Sequence, residues 1–198
     1  MLLASPLGPG TPYERWFRSY PRQFMEAPLR PALSFPAREQ AGTAFSPWTE
    51  SWQDHAARLI AETYRGHADS QINNQYRSQA GARRFLTNIV QYPGCGSFFG
   101  PASFVAWDRA GRTLCGLSLA SLVATGVGHI TQICTAPSHQ GKGIGYELLR
   151  RSMTALAERG CRSASLTVTT ANRSAVNFYE QMGFRTRREF AAYVWEMR

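Results

Sequence analysis

The hydrophobic pattern in the second half of the chain predicts two strands separated by a helix. Residues 129–135 and 163–170 form two runs that are rich in β-forming side chains. A helix is predicted between them, after Gly145, because apolar residues recur along one side of it. These residues are Leu148, Leu149, Ala155 and Leu156.

A second helix and a third strand follow in the pattern. Asn172 stands where a helix N-cap belongs, and Gly183 marks the end of the predicted helix. Between them, apolar residues recur at the i, i+3, i+4 and i+7 spacing of a helix face. These residues are Ala175, Phe178, Tyr179 and Met182. Residues 184–197 then return to the alternation of a strand.

The pattern before residue 100 predicts a strand and two helices. Residues 43–48 read as the strand, and a helix capped by Thr49 or Ser51 follows to about Tyr64. The apolar residues on the inner face of this helix are Trp52, Ala56, Leu59 and Ile60. A second helix is predicted over about 78–90.

The next segment predicts a hairpin. Residues 102–107 and 114–122 are apolar runs, and 108–111 between them has the composition of a turn. The pattern as a whole therefore gives strand, two helices, hairpin, strand, helix, strand, helix and strand.

Proline is concentrated at the start of the chain. Eight of the 11 prolines fall between Pro6 and Pro47, so this region is expected to be irregular or extended and not helical. We assign residues 1–42 to an N-terminal extension and 43–198 to one domain. The sequence of residues 16–24 weakly echoes that of 183–190, which leaves two alternatives for the extension: a remnant of a preceding repeat, or an ordered arm on the domain.

The segment Gln140-Gly-Lys-Gly-Ile-Gly145 is the clearest candidate for chemistry. Its three glycines let the backbone approach a ligand closely, and it opens a helix whose first N–H groups have no intrahelical partner. Such a helix start binds anions. The helix dipole adds roughly 0.3–1 kcal/mol, whereas each charge-assisted hydrogen bond adds about 1.5–3 kcal/mol. Backbone N–H groups should therefore carry most of the binding.

The spacing of this loop excludes two common phosphate sites. A nucleoside-triphosphate loop requires serine or threonine after its lysine, and Lys142 is followed by Gly143. A dinucleotide loop requires G-x-G-x-x-G and an acidic residue about 20 residues later. The final spacing here is wrong, and residues 161–163 include no acid.

The pattern Gln140-x-x-Gly143-x-Gly145 resembles the acyl-CoA loop of the GNAT superfamily of N-acetyltransferases. The resemblance continues downstream through Asn172, the tyrosine seven residues later and the Gly183-Phe184 pair, and it covers about residues 130–184. It implies an α/β (α+β) fold with a mixed, mostly antiparallel twisted sheet flanked by helices. The cofactor, acetyl-CoA, would lie in the splay between the two central strands.

The resemblance also implies roles for individual residues. Asn172 matches a side chain that hydrogen-bonds the cofactor, although capping the helix needs the same side-chain oxygen. Tyr179 matches the general acid that protonates the departing thiolate, although an interior tyrosine can also be plain packing. The other residues implied to bind the cofactor are Ile133, Cys134, Thr135, Gln140, Gly141, Lys142, Gly143, Ile144 and Gly145.

The general base is not identified by the resemblance. Ribosomal-protein acetyltransferases of this family have a glutamate five residues before the asparagine, where this chain has Thr167. Threonine cannot act as a base near neutral pH. We take His129 as the candidate base; Glu62, His67 and Asp69 are the alternatives, and a relay through water is another.

The acceptor wall is implied to lie between the first two helices. Residues 66–76 are polar, and Asp69 and Tyr76 are the candidate substrate-binding residues, with Asp69 suited to an ammonium group. The implied reaction is direct attack by a primary amine of a small molecule or peptide on acetyl-CoA. A non-catalytic, regulatory acyl-CoA-binding module of the same fold is the alternative.

The composition of the chain agrees with the implied fold and cofactor. The net charge of +9 comes from 21 arginines and one lysine against 13 acids, and the arginines are spread along the chain. This distribution favours a basic surface suited to an anionic cofactor over a nucleic-acid site. Lys142, the single lysine, lies in the loop and is treated as auxiliary.

Apolar runs, the first residues and the cysteines indicate where the protein is located and which partners to expect. No apolar run approaches the roughly 20 residues of a membrane span, and the first residues lack the features of a secretory signal. The four cysteines show no C-x-x-C pairing, which indicates reduced thiols in a cytoplasmic protein without a metal cluster. No membrane partner is expected, and a homodimer is left open.

Overall fold

The computed structural model describes residues 3–4, 17–38 and 40–195, which form one mixed sheet flanked by helices. The strands are β1 (Leu3–Ala4), β2 (Phe17–Pro28), β3 (Thr43–Pro47), β4 (Ser97–Phe98), β5 (Phe104–Asp108), β6 (Thr113–Ala124), β7 (Val127–Thr135), β8 (Ser163–Thr169) and β9 (Arg185–Trp195). The helices are α1 (Gln53–Thr63), α2 (Asp69–Ile72), α3 (Gln79–Gln91), α4 (Ile144–Glu158) and α5 (Arg173–Gln181).

The strands follow the order β1-β9-β2-β8-β7-β6-β5-β3, and β4 pairs with β6. Among the described strands, β7 and β8 form the one parallel pair, and the other pairs are antiparallel. The predicted fold class, a mixed and mostly antiparallel sheet with flanking helices, is confirmed. The parallel pair at the centre is the feature that positions the site.

Two apolar layers hold the helices against the sheet. On one face, α1 and α3 pack on β5, β6 and the end of β7, with Leu59, Ile60 and Leu86 in the core. On the other face, α4 and α5 pack on β2 and β8. Gly128 allows α4 to approach closely, because a Cβ there would lie 2.5 Å from Leu156 Cδ1.

Most predicted helix boundaries agree with the structure. Ser78 caps α3 by accepting the Gly81 N–H at 3.1 Å. Thr49 and Ser51 instead bond to each other through their hydroxyl groups, and a 3-10 turn over Glu50–Trp52 precedes α1. The predicted end of the last strand at Met197 lies outside the described residues, and β9 is described to Trp195.

The described part of the N-terminal extension lies inside the sheet. β2 pairs with β8 on one side and β9 on the other, and Met25, Ala27 and Leu29 are fully buried. The expectation of extended structure is therefore met over Phe17–Pro28. The expectation that no part is helical is wrong, because Arg30–Ser34 forms a 3-10 helix with proline in its first turn. Residues 1–2 and 5–16 lie outside the described residues.

Candidate active site

The parallel pair β7–β8 separates partway along its length. Backbone pairing covers Val127 to His129 on β7 and Ser163 to Ser165 on β8. Beyond these pairs β7 continues to Thr135 and β8 to Thr169. The two strands therefore form a V, and the edge of β7 that faces β8 is not covered by a strand over residues 130–135. Such an edge can pair with an extended, amide-containing ligand.

The glycine loop lies where the open end of β7 leads into α4. Gly141 and Gly143 adopt φ values of +74° and +78°, which L side chains rarely adopt. Gly143 is the N-cap of α4, and the first intrahelical bond runs from the Glu147 N–H to its carbonyl at 3.1 Å. The N–H groups of residues 144–146 precede that bond and are available to an anion.

Three predicted site elements converge at Gly145. A Cβ on this residue would lie 3.6 Å from Thr135 Oγ1 and 4.0 Å from Phe178 Cζ. The end of β7, the start of α4 and the helix α5 thus meet around one small residue. The structure brings together the loop and helix segments that the sequence singled out separately.

A segment preceding β3, which we call the strap (residues 36–38 and 40), packs against the start of α4. Tyr146 donates its hydroxyl to the Pro36 carbonyl at 2.9 Å, and the Arg38 guanidinium lies 3.9 Å from the Tyr146 ring centroid. Gln40 Nε2 would lie 2.7 Å from a Cβ on Gly143. The Gln40 side chain therefore lies directly over Gly143, the residue that begins α4.

Glu147 anchors this strap from the first turn of α4. Its side chain is 1% exposed and accepts the Arg38 N–H at 3.1 Å and the Arg150 guanidinium at 2.7 Å. Burial raises the pKa of the Glu147 carboxyl, but the hydrogen bonds from Arg150 and Arg38 outweigh it, and the pKa ends below its ordinary value. The carboxylate is thus occupied by structural contacts.

The side chains of the other predicted cofactor residues differ in exposure. Ile144 and Cys134 are buried in the core, so that only their backbone groups can meet a ligand. Gln140 donates to the Thr135 carbonyl at 3.4 Å, and Lys142 is exposed. Burial raises the pKa of the Cys134 thiol to about 12, so this thiol stays protonated and is a poor nucleophile.

Tyr179 lies on the inner side of α5. Its side chain is buried, and its ring contacts those of Phe178 and Phe184. Burial, with a smaller contribution from the Asp69 charge, raises the pKa of the Tyr179 hydroxyl well above the ordinary value. The hydroxyl therefore carries its proton throughout the neutral range, as a general acid must.

A polar network joins α5 to the segment between α1 and α3. Asn172 Oδ1 accepts the Ala175 N–H at 3.2 Å, and its amide lies 3.3 Å from His67 Nε2. His67 Nδ1 is 3.5 Å from Asp69 Oδ2, and Thr169 donates its hydroxyl to Asp69 Oδ1. The alternative that Asn172 caps the helix is thus realised, and both ends of its side chain are occupied.

Tyr76 belongs to a second polar cluster on the same side of the sheet. Its ring stacks on Tyr64 with centroids 4.4 Å apart. The Tyr76 hydroxyl donates to Gln132 Oε1 at 3.1 Å, and Gln132 Nε2 donates to the Tyr64 hydroxyl at 3.0 Å. Burial raises the pKa of both tyrosines. These hydrogen-bonded side chains form a wall close to Asp69.

His129, the candidate base, lies where β7 and β8 are still paired. Its Nδ1 is 2.9 Å from Ser165 Oγ. Burial lowers the pKa of His129 to about 4. The imidazole is therefore neutral at pH 7, but its low pKa makes it a weak proton acceptor for an alkyl ammonium group.

The buried neutral state of His129 should make stability depend on pH. Because its folded-state pKa of about 4 lies below the ordinary 6.5, the unfolded chain binds more protons between these values. The contribution is fully present near pH 7, and the free energy of unfolding should fall by on the order of 2–3 kcal/mol toward pH 4. Urea unfolding of wild type, His129→Gln and the exposed-site control His55→Gln measures this term. His129→Gln should lose less stability between pH 7 and 4.5 than the other two, and equal losses in all three would contradict the assignment.

Sequence reasoning missed several residues of this site. Gln132 interrupts an apolar strand with a buried polar side chain, which was a usable signal. Thr169 ends β8 and gave no distinctive pattern. Arg22 lies in β2 opposite Thr169, and it was assigned to the extension outside the domain. Its place beside the site follows from strand pairing across most of the chain.

The described chain contains no helix that is both long and apolar enough to cross a membrane. Its four cysteines are free, and only Cys95 is exposed. No group of three or more potential metal-ligating side chains occurs among the described residues.

A splayed parallel strand pair with a glycine loop and a following helix is the arrangement of the GNAT class of acetyltransferases. Residues 45–184 match the profile of the acetyltransferase (GNAT) family, and the chain belongs to this family. It is 44% identical over 55 residues to streptothricin acetyltransferase of Streptomyces lavendulae, a match covering 28% of this chain and 29% of that protein. The matches to this and other curated acetyltransferases cover between 25% and 37% of each relative's length.

Solved structures show the same fold at low identity. A GCN5-related N-acetyltransferase from Sphaerobacter thermophilus aligns with a TM-score of 0.66 and 16% identity, covering 91% of this chain and 53% of that one. The PaiA N-acetyltransferase from Thermoplasma acidophilum, in complex with coenzyme A, aligns with a TM-score of 0.55 and 17% identity. That alignment covers 78% of this chain and 99% of the other.

Proposed function

We propose that this protein is an acetyl-CoA-dependent N-acetyltransferase that acts on a primary amine of a small molecule or peptide. The observation that carries the proposal is the splay of β7 from β8 after His129, with the loop that precedes α4 at its open end. Acetyl-CoA would supply the acetyl group as an activated thioester. The bound coenzyme A of the PaiA structure, which shares the fold, supports this choice of cofactor.

The residues present fit this cofactor. The N–H groups at the start of α4 suit a pyrophosphate, and Gly143 supplies the left-handed conformation with which this helix begins. The uncovered edge of β7 suits the amide groups of a pantetheine arm. The absence of side chains at Gly141, Gly143 and Gly145 leaves the backbone of the loop accessible to a ligand.

Two proton transfers need separate groups in the protein. Tyr179 is protonated at neutral pH and is the donor to the departing sulfur. For the amine's proton we favour His67 over His129. The His67 side chain is 32% exposed and adjoins Asp69, whereas His129 is held by Ser165 and has a lowered pKa. His67 Nδ1 accepts the Asp69 N–H, so that His67 Nε2 would exchange its contact with the Asn172 amide for the substrate amine. Asp69 would position the incoming ammonium group and stabilise the protonated imidazole.

Replacing His67 should separate these two candidates. His67→Gln is expected to lower kcat about 10²–10⁴-fold at pH 7, the usual range for loss of a general base. The deficit should shrink as the pH rises, because more of the amine then arrives deprotonated. His129→Gln is the comparison and should lower kcat much less. An unchanged kcat in His67→Gln, or a deficit that is independent of pH, would rule out this role for His67.

Turnover itself is tested by release of free thiol from acetyl-CoA in the presence of a panel of amines. The proposal predicts amine-dependent thiol release and an N-acetylated product identified by mass. Tight binding of acetyl-CoA with no release for any amine, the true acceptor included, would instead favour a non-catalytic acyl-CoA-binding module.

A further inference from the structure

Arg22 of β2 projects toward the acceptor side of the site. It lies opposite Thr169 on β8 and opposite Phe190 on β9. Side chains of directly opposed residues in antiparallel strands emerge from the same face of the sheet. The Thr169 hydroxyl donates to Asp69, so that this is the face on which α2 lies. Arg22 therefore shares a face with the Asp69 carboxylate.

The Arg22 guanidinium has a buried N–H group that no acceptor among the described residues satisfies. Its Nε is buried and has no hydrogen-bond partner in the described part of the chain. The Asp69 oxygens face Thr169 and His67 instead. An unpaired, buried N–H of a charged group is costly, and carboxylate and phosphate oxygens are the acceptors that best complement a guanidinium.

The position of Arg22 next to the acceptor wall is supported by its electrostatic effect. Its positive charge lowers the pKa of the Tyr76 hydroxyl and partly opposes the increase caused by burial and by the Asp69 charge. The charges of both Arg22 and Asp69 therefore act on the Tyr76 hydroxyl. The wall carries one positive and one negative group on the same side of the sheet.

We propose that Arg22 binds an anionic group of the acceptor, so that the substrate is an amine that also bears a carboxylate or a phosphate. Asp69 would face the ammonium end and Arg22 the anionic end. This inference rests on the proposed function for the identity of the acceptor, but the anion-binding role of Arg22 can be measured without turnover. It also gives the N-terminal strand a part in substrate selection.

Binding is tested first by NMR on protein labelled with ¹⁵N-arginine. The Arg22 Nε–H resonance is identified by its absence in Arg22→Lys. Glycine, phosphoethanolamine and ethylamine are then titrated at constant ionic strength. We expect a saturable shift of this resonance with glycine if the site takes a carboxylate, or with phosphoethanolamine if it takes a phosphate, and none with ethylamine. No shift with either anionic amine, or equal shifts with all three, would overturn the proposal.

Substrate selection is tested by kinetics on matched acceptors. Phenylalanine and phenethylamine differ only in the carboxylate, and phosphoethanolamine and ethanolamine only in the phosphate. Arg22→Gln should raise KM for the preferred anionic acceptor about 10–100-fold, as expected for loss of a charge-assisted hydrogen bond, with little effect on its uncharged partner. The exposed Arg109→Gln removes the same charge from the turn between β5 and β6, away from Arg22, and should leave both KM values unchanged.

The two tests separate the two claims. If Arg22→Gln released thiol at the wild-type rate with both members of each pair, the role of Arg22 would be refuted. The acetyltransferase assignment would remain intact. If no amine were acetylated, the proposed function would fail, and the Arg22 resonance would still decide whether the site binds an anionic amine. Thermal unfolding of Arg22→Gln, expected to remain cooperative, distinguishes lost recognition from lost folding.

Discussion

Gly143→Leu is expected to lower the affinity for acetyl-CoA at least 100-fold while the protein remains folded. Two effects combine at this position. The φ of +78° is unfavourable for any L residue with a side chain, and a Cβ would lie 2.7 Å from Gln40 Nε2. The Gln40 amide is the end of a flexible side chain and can move aside, but leucine cannot relieve the strained φ without moving the loop, which misaligns the N–H groups at the start of α4. Isothermal titration calorimetry with acetyl-CoA measures the change.

The other end of the same helix provides a matched control. Gly160 has a φ of +93°, and a Cβ there would meet nothing within 4 Å. Gly160→Leu should introduce a similar backbone strain, about 1–2 kcal/mol, without touching the loop. It should therefore bind acetyl-CoA like the wild type. Equal affinities in Gly143→Leu and wild type would refute the assignment of the loop.

Tyr179→Phe is expected to lower kcat about 10²–10⁴-fold with little change in the KM for acetyl-CoA. The substitution removes one hydroxyl from a buried ring that keeps its contacts with Phe178 and Phe184. The loss should therefore be in proton donation, which typically contributes a rate factor of this size. Steady-state kinetics with a fixed amine measures both constants.

The pH profile supplies a second readout for Tyr179. Because burial raises its pKa well above the ordinary value of 10.0, kcat should not fall through deprotonation of this acid below about pH 10. Tyr92→Phe, at an exposed position, is the control and should match the wild type. An unaltered kcat in Tyr179→Phe would remove this residue as the general acid.

The second half of the domain was predictable because its signals are local. Asn172 caps α5, Gly183 ends it with a φ of +87°, and the glycine loop opens α4 as its spacing indicated. Each of these features depends on residues within a few positions along the chain. The family pattern could therefore be read directly from the order of elements.

The place of β2 could not be read in this way. Its partners are β8 and β9, more than 140 residues later in the chain for most pairs, and its two prolines argue against an interior strand. Both prolines sit where they disturb pairing least. Pro21 lies beyond the ladder with β8, and Pro28 is the last residue of the strand. Non-local pairing of this kind leaves no periodic signal that distinguishes it from an extended arm.

The acceptor side of the site was only partly predictable for the same reason. The polar composition of residues 66–76 indicated a recognition segment, and the structure folds it into α2 and a 3-10 turn at Asn74–Arg77. The contacts of Asp69 with Thr169 and of His67 with Asn172 join residues about 100 positions apart. Sequence spacing could nominate Asp69 and Tyr76 but could not pair them with Arg22, Gln132 or Thr169.

Hydrogen–deuterium exchange with and without acetyl-CoA tests the central claim most directly. We propose that the cofactor binds along the open edge of β7 and at the start of α4. Saturating acetyl-CoA should therefore slow amide exchange in peptides that cover residues 130–135 and 143–146, and this protection should be lost in Gly143→Leu. Binding of acetyl-CoA that leaves exchange in both segments unchanged would contradict the account.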